Sequence, residues 1–405
     1  MKINILNKKK IKILFKMNQL KKELDFKDIY FIGLGYIIGA GIYSLLHLTT
    51  KKGKHFTWLS FLFGGLISLI TARSYIYLNK EYNSSASEYE YITDILGFGK
   101  YDSLKLCLLI LILLKGILIS STLSIAFGEL VSKMINNKLS SKFITFLLIF
   151  SITLLNSFDL KTTVNTNTLI TLLEAGVLII LIIFGTKKIK MKENYSKTLD
   201  VTGISTAAFL SIFAFSGFEG IPKLINETQN SSEIIPKAIR YSLITSIALY
   251  ILTSLVINSL LGVNNVKKYN NPISVGYQKL FNLKFGLPVN ILTSFSIFNT
   301  VLLTILILSR QLYGIGKSQN KEKLFKSNIM ESVNDLFTVF TSVNSKTNTP
   351  IYSILFVGLI IYLITLFFNL EKANYLSNFV ILIIYILVNL SSLKLYLKKQ
   401  KNKTI

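Results

Sequence analysis

The chain has 405 residues, 51% of them hydrophobic and only 16% charged, with a formal net charge of +25. Soluble domains carry about 25% charged residues. This composition, with its long unbroken apolar runs, excludes a single water-soluble core and points to membrane-spanning helices. One cysteine, Cys107, and two histidines, His47 and His55, leave no internal disulfide and no Cys or His cluster for a metal.

The first 28 residues are Lys-rich, from Lys8 to Lys27, and have no cleavable apolar core, so no secretory signal peptide is read there. Ten apolar segments follow, each long enough to span. In chain order they are Ile29–His47, Phe56–Leu78, Leu104–Val131, Phe143–Phe158 and Thr166–Thr186. Then come Gly203–Ile225, Lys237–Gly262, Phe285–Ser309, Pro350–Asn369 and Asn374–Tyr396. The expected organisation is a basic tail over 1–28, a transmembrane domain over 29–396 and a basic tail over 397–405. The domain divides into two halves, about 29–186 and 203–396.

The lysines sit in tails and short loops, a pattern that fits membrane topology rather than nucleic-acid binding. Basic clusters at both ends and an even number of spans place both termini in the cytoplasm, together with the 316–349 loop. Lys187, Lys188, Lys190 and Lys192 run against this assignment, and Asn194-Tyr195-Ser196 in the same loop is a glycosylation sequon. The segment 263–287 lies outside and reads equally as a lid or a connector.

Two spans at corresponding places in the halves are interrupted by small residues. The first carries Gly33, Gly35, Gly39, Ala40 and Gly41; the sixth carries Ala214-Phe215-Ser216-Gly217-Phe218-Glu219-Gly220 and Pro222. Mid-helix glycine costs roughly 1 kcal/mol against alanine, and proline more. An unwound helix survives in a membrane only where its backbone faces protein or a water-filled cavity. Paired interruptions therefore point to a central binding site. Freed N–H groups there bind a carboxylate, and freed carbonyls accept from an ammonium. The competing reading is that the small residues only permit close helix packing.

At these residues the chain resembles the amino acid–polyamine–organocation (APC) permeases. Ile38-Gly39-Ala40-Gly41-Ile42-Tyr43 is similar to that family's first-helix motif. Gly217-Phe218-Glu219, Asn226-Glu227, Asn230, Pro236 and Ile239 are similar to its sixth-helix pattern, with Asn226 and Ser231 departing from the usual glutamate and proline. Tyr77, Glu88, Tyr89 and Tyr91, the stretch 156–185, Ser309 to Tyr313, and Thr349-Pro350 extend the resemblance over most of 29–396. It implies an all-α, polytopic bundle of the LeuT type: a five-plus-five inverted repeat with discontinuous helices one and six. The family usually has twelve spans, and the last pair is not visible here.

The resemblance also implies a substrate cradle made by Ile37, Gly39, Ala40, Gly41 and Ile42 with Phe213, Ala214, Phe215, Ser216 and Gly217. Phe213 takes the place of an aromatic gate, and Glu219 that of an acid near the inner gate. Glu174 stands where several proton-coupled relatives carry a lysine.

Lys115 in the third span and Glu174 in the fifth are ionisable groups inside the membrane, each costing about 2.5–3.5 kcal/mol on insertion scales. They are expected to neutralise each other, and Glu174 could bind and release a proton. No catalytic motif is present, so the expected activity is secondary transport of amino acids, coupled to protons or working by exchange, with no cofactor and no enzymatic step. The alternatives are transport of polyamines or cationic amino acids, and a non-transporting sensor derived from a permease. The partners expected are an amino acid or organic amine, the lipid bilayer and protons, but no nucleic acid; oligomeric state is open.

Overall fold

The computed structural model describes residues 20–188, 199–269, 271–281, 286–319, 325, 331–368 and 370–402. Most of the N-terminal basic tail, Lys190, Lys192 and the Asn194 sequon lie outside the described residues. Among the described residues every apolar segment is mainly helical. In chain order these are α1 (Phe26–Gly53), α2 (Thr57–Tyr82), α3 (Glu88–Leu96), α4 (Asp102–Met134), α5 (Ser141–Ser157) and α6 (Leu160–Gly185). There follow α7 (Val201–Ala214), a 3-10 segment (Phe218–Leu224), α8 (Ser231–Leu261), α9 (Pro272–Phe281), α10 (Gly286–Gln319), α11 (Glu331–Phe340), α12 (Ile351–Phe367) and α13 (Leu370–Lys401). Among the described residues there is no strand; Leu24 and Thr228 form an isolated parallel bridge.

Local chemistry sets several helix starts. Asp25 and Asp28 form a reciprocal capping box on α1, each side chain accepting from the other's backbone N–H. Asp159 and Asp200 cap α6 and α7 by accepting from Thr162 and Gly203 N–H groups. The Gly203 N–H, followed by Lys54, holds the Asp200 carboxyl below its usual range.

Among the described residues, seven helical stretches are long and apolar enough to cross a membrane, and α5 and α12 are shorter apolar helices. Their outer faces are apolar and exposed, as with Phe146, Phe150 and Leu154 on α5 and Leu169, Leu172, Ile179 and Ile183 on α6. Such a surface is stable against lipid, not water.

α1 lies at the centre, packed on α6, α7, α8 and α10. The first four spans each pack against their counterpart in the second half: α1 on α7, α2 on α8, α4 on α10, α5 on α12. This pairing is the five-plus-five arrangement. α13 closes the bundle against α2, α3 and α4. α9 lies on α8, α10, α1 and α6, with the Tyr277 hydroxyl donating to the Val177 carbonyl.

One expectation is corrected: α1 is helical throughout Phe26–Gly53, with no break at Gly39–Gly41. Its glycines serve close packing instead. A Cβ on Gly35 would collide with Thr171 Oγ1, one on Gly39 with Thr300 Oγ1, and one on Gly41 with the Tyr250 hydroxyl. The missing side chains let α6, α8 and α10 approach the α1 backbone. Unwinding would also leave buried peptide groups without partners.

Candidate substrate site and buried charge cluster

The sixth span does break. α7 ends at Ala214, and Phe215 and Ser216 N–H groups turn back to Ile212 and Phe213 carbonyls. Gly217 then takes φ +127°, a conformation side chains resist, and the chain resumes as the 3-10 segment containing Pro222. The N–H of Gly217 donates to Glu219 Oε2 at 2.7 Å. A Cβ on Gly217 would lie 3.1 Å from the Tyr36 backbone. Gly217→Ala should therefore lower stability by about 1–3 kcal/mol, read as a drop in the thermal unfolding midpoint in detergent.

Beside the break is a small cavity of about 20 Å³. α1 contributes Tyr36, Ile37 and Gly41, α4 Ile119, α10 Thr300, and the broken span Phe213, Ala214, Ser216, Gly217 and Glu219. Six of the ten expected cradle residues thus meet here. Gly39 faces α10 instead, and Ile42 is buried in the core. Phe215 is buried with its ring centre 5.0 Å from that of Tyr250; Ala40 belongs to the same turn of α1. The Tyr250 hydroxyl lies 2.7 Å from the Ile37 carbonyl and 3.2 Å from that of Ala214. It thereby ties α1 to the end of α7.

Towards the C-terminal end of α1 a larger cavity of about 290 Å³ opens, lined by Leu45, Leu48, Lys51 and Lys52, by Phe209 to Phe213 except Ser211, and by Ile381 and Leu382. Phe213 borders both cavities.

Towards the N-terminal end of α1 lies a charge cluster. Lys115 Nζ is 3.0 Å from Glu88 Oε1 and 3.6 Å from Glu219 Oε1. Lys223 Nζ is 3.3 Å from Glu88 Oε2. Glu88 also accepts from Tyr75, Ser87 and Gln311, and Glu219 from the Tyr385 hydroxyl at 3.0 Å. All four charged side chains are buried. Nearby, Arg310 holds Glu227 through Nε and Nη2 at 2.9–3.2 Å, also fully buried. The carbonyl of Glu227 accepts from the N–H groups of Glu23 and Leu24, tying the entry of α1 to this end.

The expected Lys115–Glu174 pair is overturned: Lys115 is paired with Glu88 and Glu219. The short α3 folds Glu88 into the bundle, so Lys115 finds its carboxylates there. Glu174 is fully buried, with Ser296 and Asn299 of α10 as the polar side chains beside its carboxyl group. Tyr36, Ile119, Thr300, Tyr385 and Lys223 were not singled out from sequence. Only Lys223 carried a signal, as a charge inside the apolar 218–225 run.

The amino acid permease family model matches residues 24–405. The low-affinity putrescine importer PlaP of Escherichia coli is 22% identical over 405 residues, covering 96% of this chain and 84% of that protein. The serine/threonine exchanger SteT of Bacillus subtilis is 22% identical over 379 residues, covering 91% and 82%. Among solved structures, the nucleobase-cation-symport transporter Mhp1 aligns with a TM-score of 0.54 at 10% identity, over 88% of this chain and 75% of that one. MhsT in complex with L-phenylalanine aligns with a TM-score of 0.51 at 15% identity, over 93% and 100%. With its broken sixth span, LeuT-type helix pairing and family match over nearly its whole length, the chain is a multi-pass integral membrane protein that belongs to the amino acid permease family.

Proposed function

We propose that this permease carries amino acids across the bilayer by alternating access, binding them between α1 and the break after Ala214. The observation that carries the reading is the placement of Phe213, which borders both the small cavity at the break and the 290 Å³ vestibule. Phe213 thus stands at the boundary of both cavities, the place of an outer gate. Peptide groups at the break, together with Ser216 and Thr300, are the polar groups available to a substrate's carboxylate and ammonium. The relatives support small nitrogenous cargo: one is named for putrescine, another for serine and threonine.

In this reading the Glu88–Lys115–Glu219–Lys223 cluster is the inner lock. It joins α2, α3, α4, α10 and α13 to the 3-10 segment, so a path towards the N-terminal end opens only when these bonds part. Glu174 serves as the proton site. A buried carboxylate with no base beside it is strongly disfavoured as an anion, and Glu174 lies on α6, whose Asn167 and Thr171 meet Gly35 of α1. Both termini face the cytoplasm, so the vestibule opens outside.

Uptake of radiolabelled amino acids into proteoliposomes, with and without an inward proton gradient, tests the proposal. Gradient-driven accumulation is expected; the absence of uptake from a broad amino acid panel would refute the carrier reading. Phe213→Ala should raise KM at least several-fold, because the ring's contacts with the occluded substrate are lost, with the fold unchanged by circular dichroism.

A further inference from the structure

Resting on that reading, we infer that the cargo is a neutral amino acid with an apolar side chain, and that diamines and cationic amino acids are excluded. The only carboxylate lining the site cavity is Glu219. Its Oε2 already accepts from Gly217 N–H at 2.7 Å and from the Tyr385 hydroxyl at 3.0 Å, and its Oε1 faces Lys115 at 3.6 Å. The cluster it belongs to is balanced: Glu88 and Glu219 stand against Lys115 and Lys223. The site therefore offers no net negative charge to a second ammonium.

A putrescine-sized dication seated at the break would offer one ammonium to the peptide groups, Ser216 and Thr300, and leave the second against Ile37, Ile119 and Phe213 with no free carboxylate among the lining residues. Burying an unpaired charge costs several kcal/mol. An apolar side chain meets the same residues at no such cost.

The approach is selective too. Leu45, Leu48, Phe209, Ile212, Phe213 and Ile381 make the vestibule wall apolar, while the exposed Lys51 and Lys52 at its edge repel cations. The occupied state of Glu219, not the absence of an acid, is therefore what denies a diamine its second partner here.

The test is competition in proteoliposomes that take up labelled L-leucine, using about a hundredfold excess of unlabelled L-valine, L-phenylalanine, L-lysine or putrescine. The neutral amino acids should cut uptake by about tenfold or more, a 1.4 kcal/mol discrimination, and the two amines by less than twofold. Inhibition or direct uptake of putrescine or L-lysine would overturn the inference while leaving a carrier. No uptake of any of the four solutes or of L-leucine, by protein shown to be folded and monodisperse, would bring down both readings. Lys115→Gln, which leaves the cluster with one uncompensated carboxylate, should gain inhibition by putrescine. If that variant does not fold, the wild-type panel decides alone.

Discussion

Replacing Lys115 by methionine should cost about 3–5 kcal/mol of stability, the penalty for stranding a buried charge. Lys115 sits between two buried carboxylates, at 3.0 Å from Glu88 and 3.6 Å from Glu219. Methionine fills a similar volume, so the loss reports charge and not packing. After the substitution, Lys223 alone faces two anions, and it contacts Glu88 only. Adding Glu88→Gln removes one of the two carboxylates that Lys115 served, but it also takes away the contact of Lys223. The double variant should therefore lose less than the sum of the two single losses, without returning to wild type. Thermal unfolding of the four proteins in detergent closes the cycle. Additive losses would show that Lys115 and Glu88 do not act as a pair. By contrast, reversing the signs of Lys115 and Glu174 together should rescue nothing, because no ion pair joins them.

Glu174→Gln should leave stability unchanged or raise it, and should abolish accumulation driven by a proton gradient. The glutamine keeps the shape of the side chain, removes an ionisable group from the core and still meets Ser296 and Asn299 beside it. Amides cannot cycle a proton, so coupling is lost while the substrate cavity, which Glu174 does not line, stays intact. Counterflow exchange of labelled for unlabelled substrate should persist at near the wild-type rate, since it needs no net proton movement. Gradient-driven accumulation equal to wild type would remove Glu174 from the coupling step. The opposite stability effects expected for Lys115 and Glu174 come from one difference: Lys115 is held between two carboxylates, and no ion pair joins Glu174 to a base among the described residues.

The break in the sixth span was legible because it is written in local backbone chemistry. Gly217 is followed within five residues by Pro222, and no arrangement of neighbours lets that stretch continue as an α-helix unchanged. The matching inference for the first span went wrong for the complementary reason. Gly33, Gly35, Gly39 and Gly41 are permissive, not obligatory: they allow unwinding and also allow close approach. Thr171, Thr300 and Tyr250 on three other helices decide between the two, and here they fill the space a side chain would need. Lys115 shows the same limit. Its depth marked it as paired, but the pairing with Glu88 depends on α3 folding back into the bundle, 27 residues earlier in the chain.

By itself the sequence determined the class of solvent, the helical spans, the position of the sixth-span break and the family. Each of these follows from run length or from residues whose backbone preferences are intrinsic. Only the tertiary structure decided which helix stays whole, which carboxylate answers Lys115, and that no ion pair joins Glu174 to Lys115 while Glu219 is fully engaged. Those outcomes depend on distances between helices far apart in the chain, because a buried charge or peptide group is stable only when a neighbour brings it a partner.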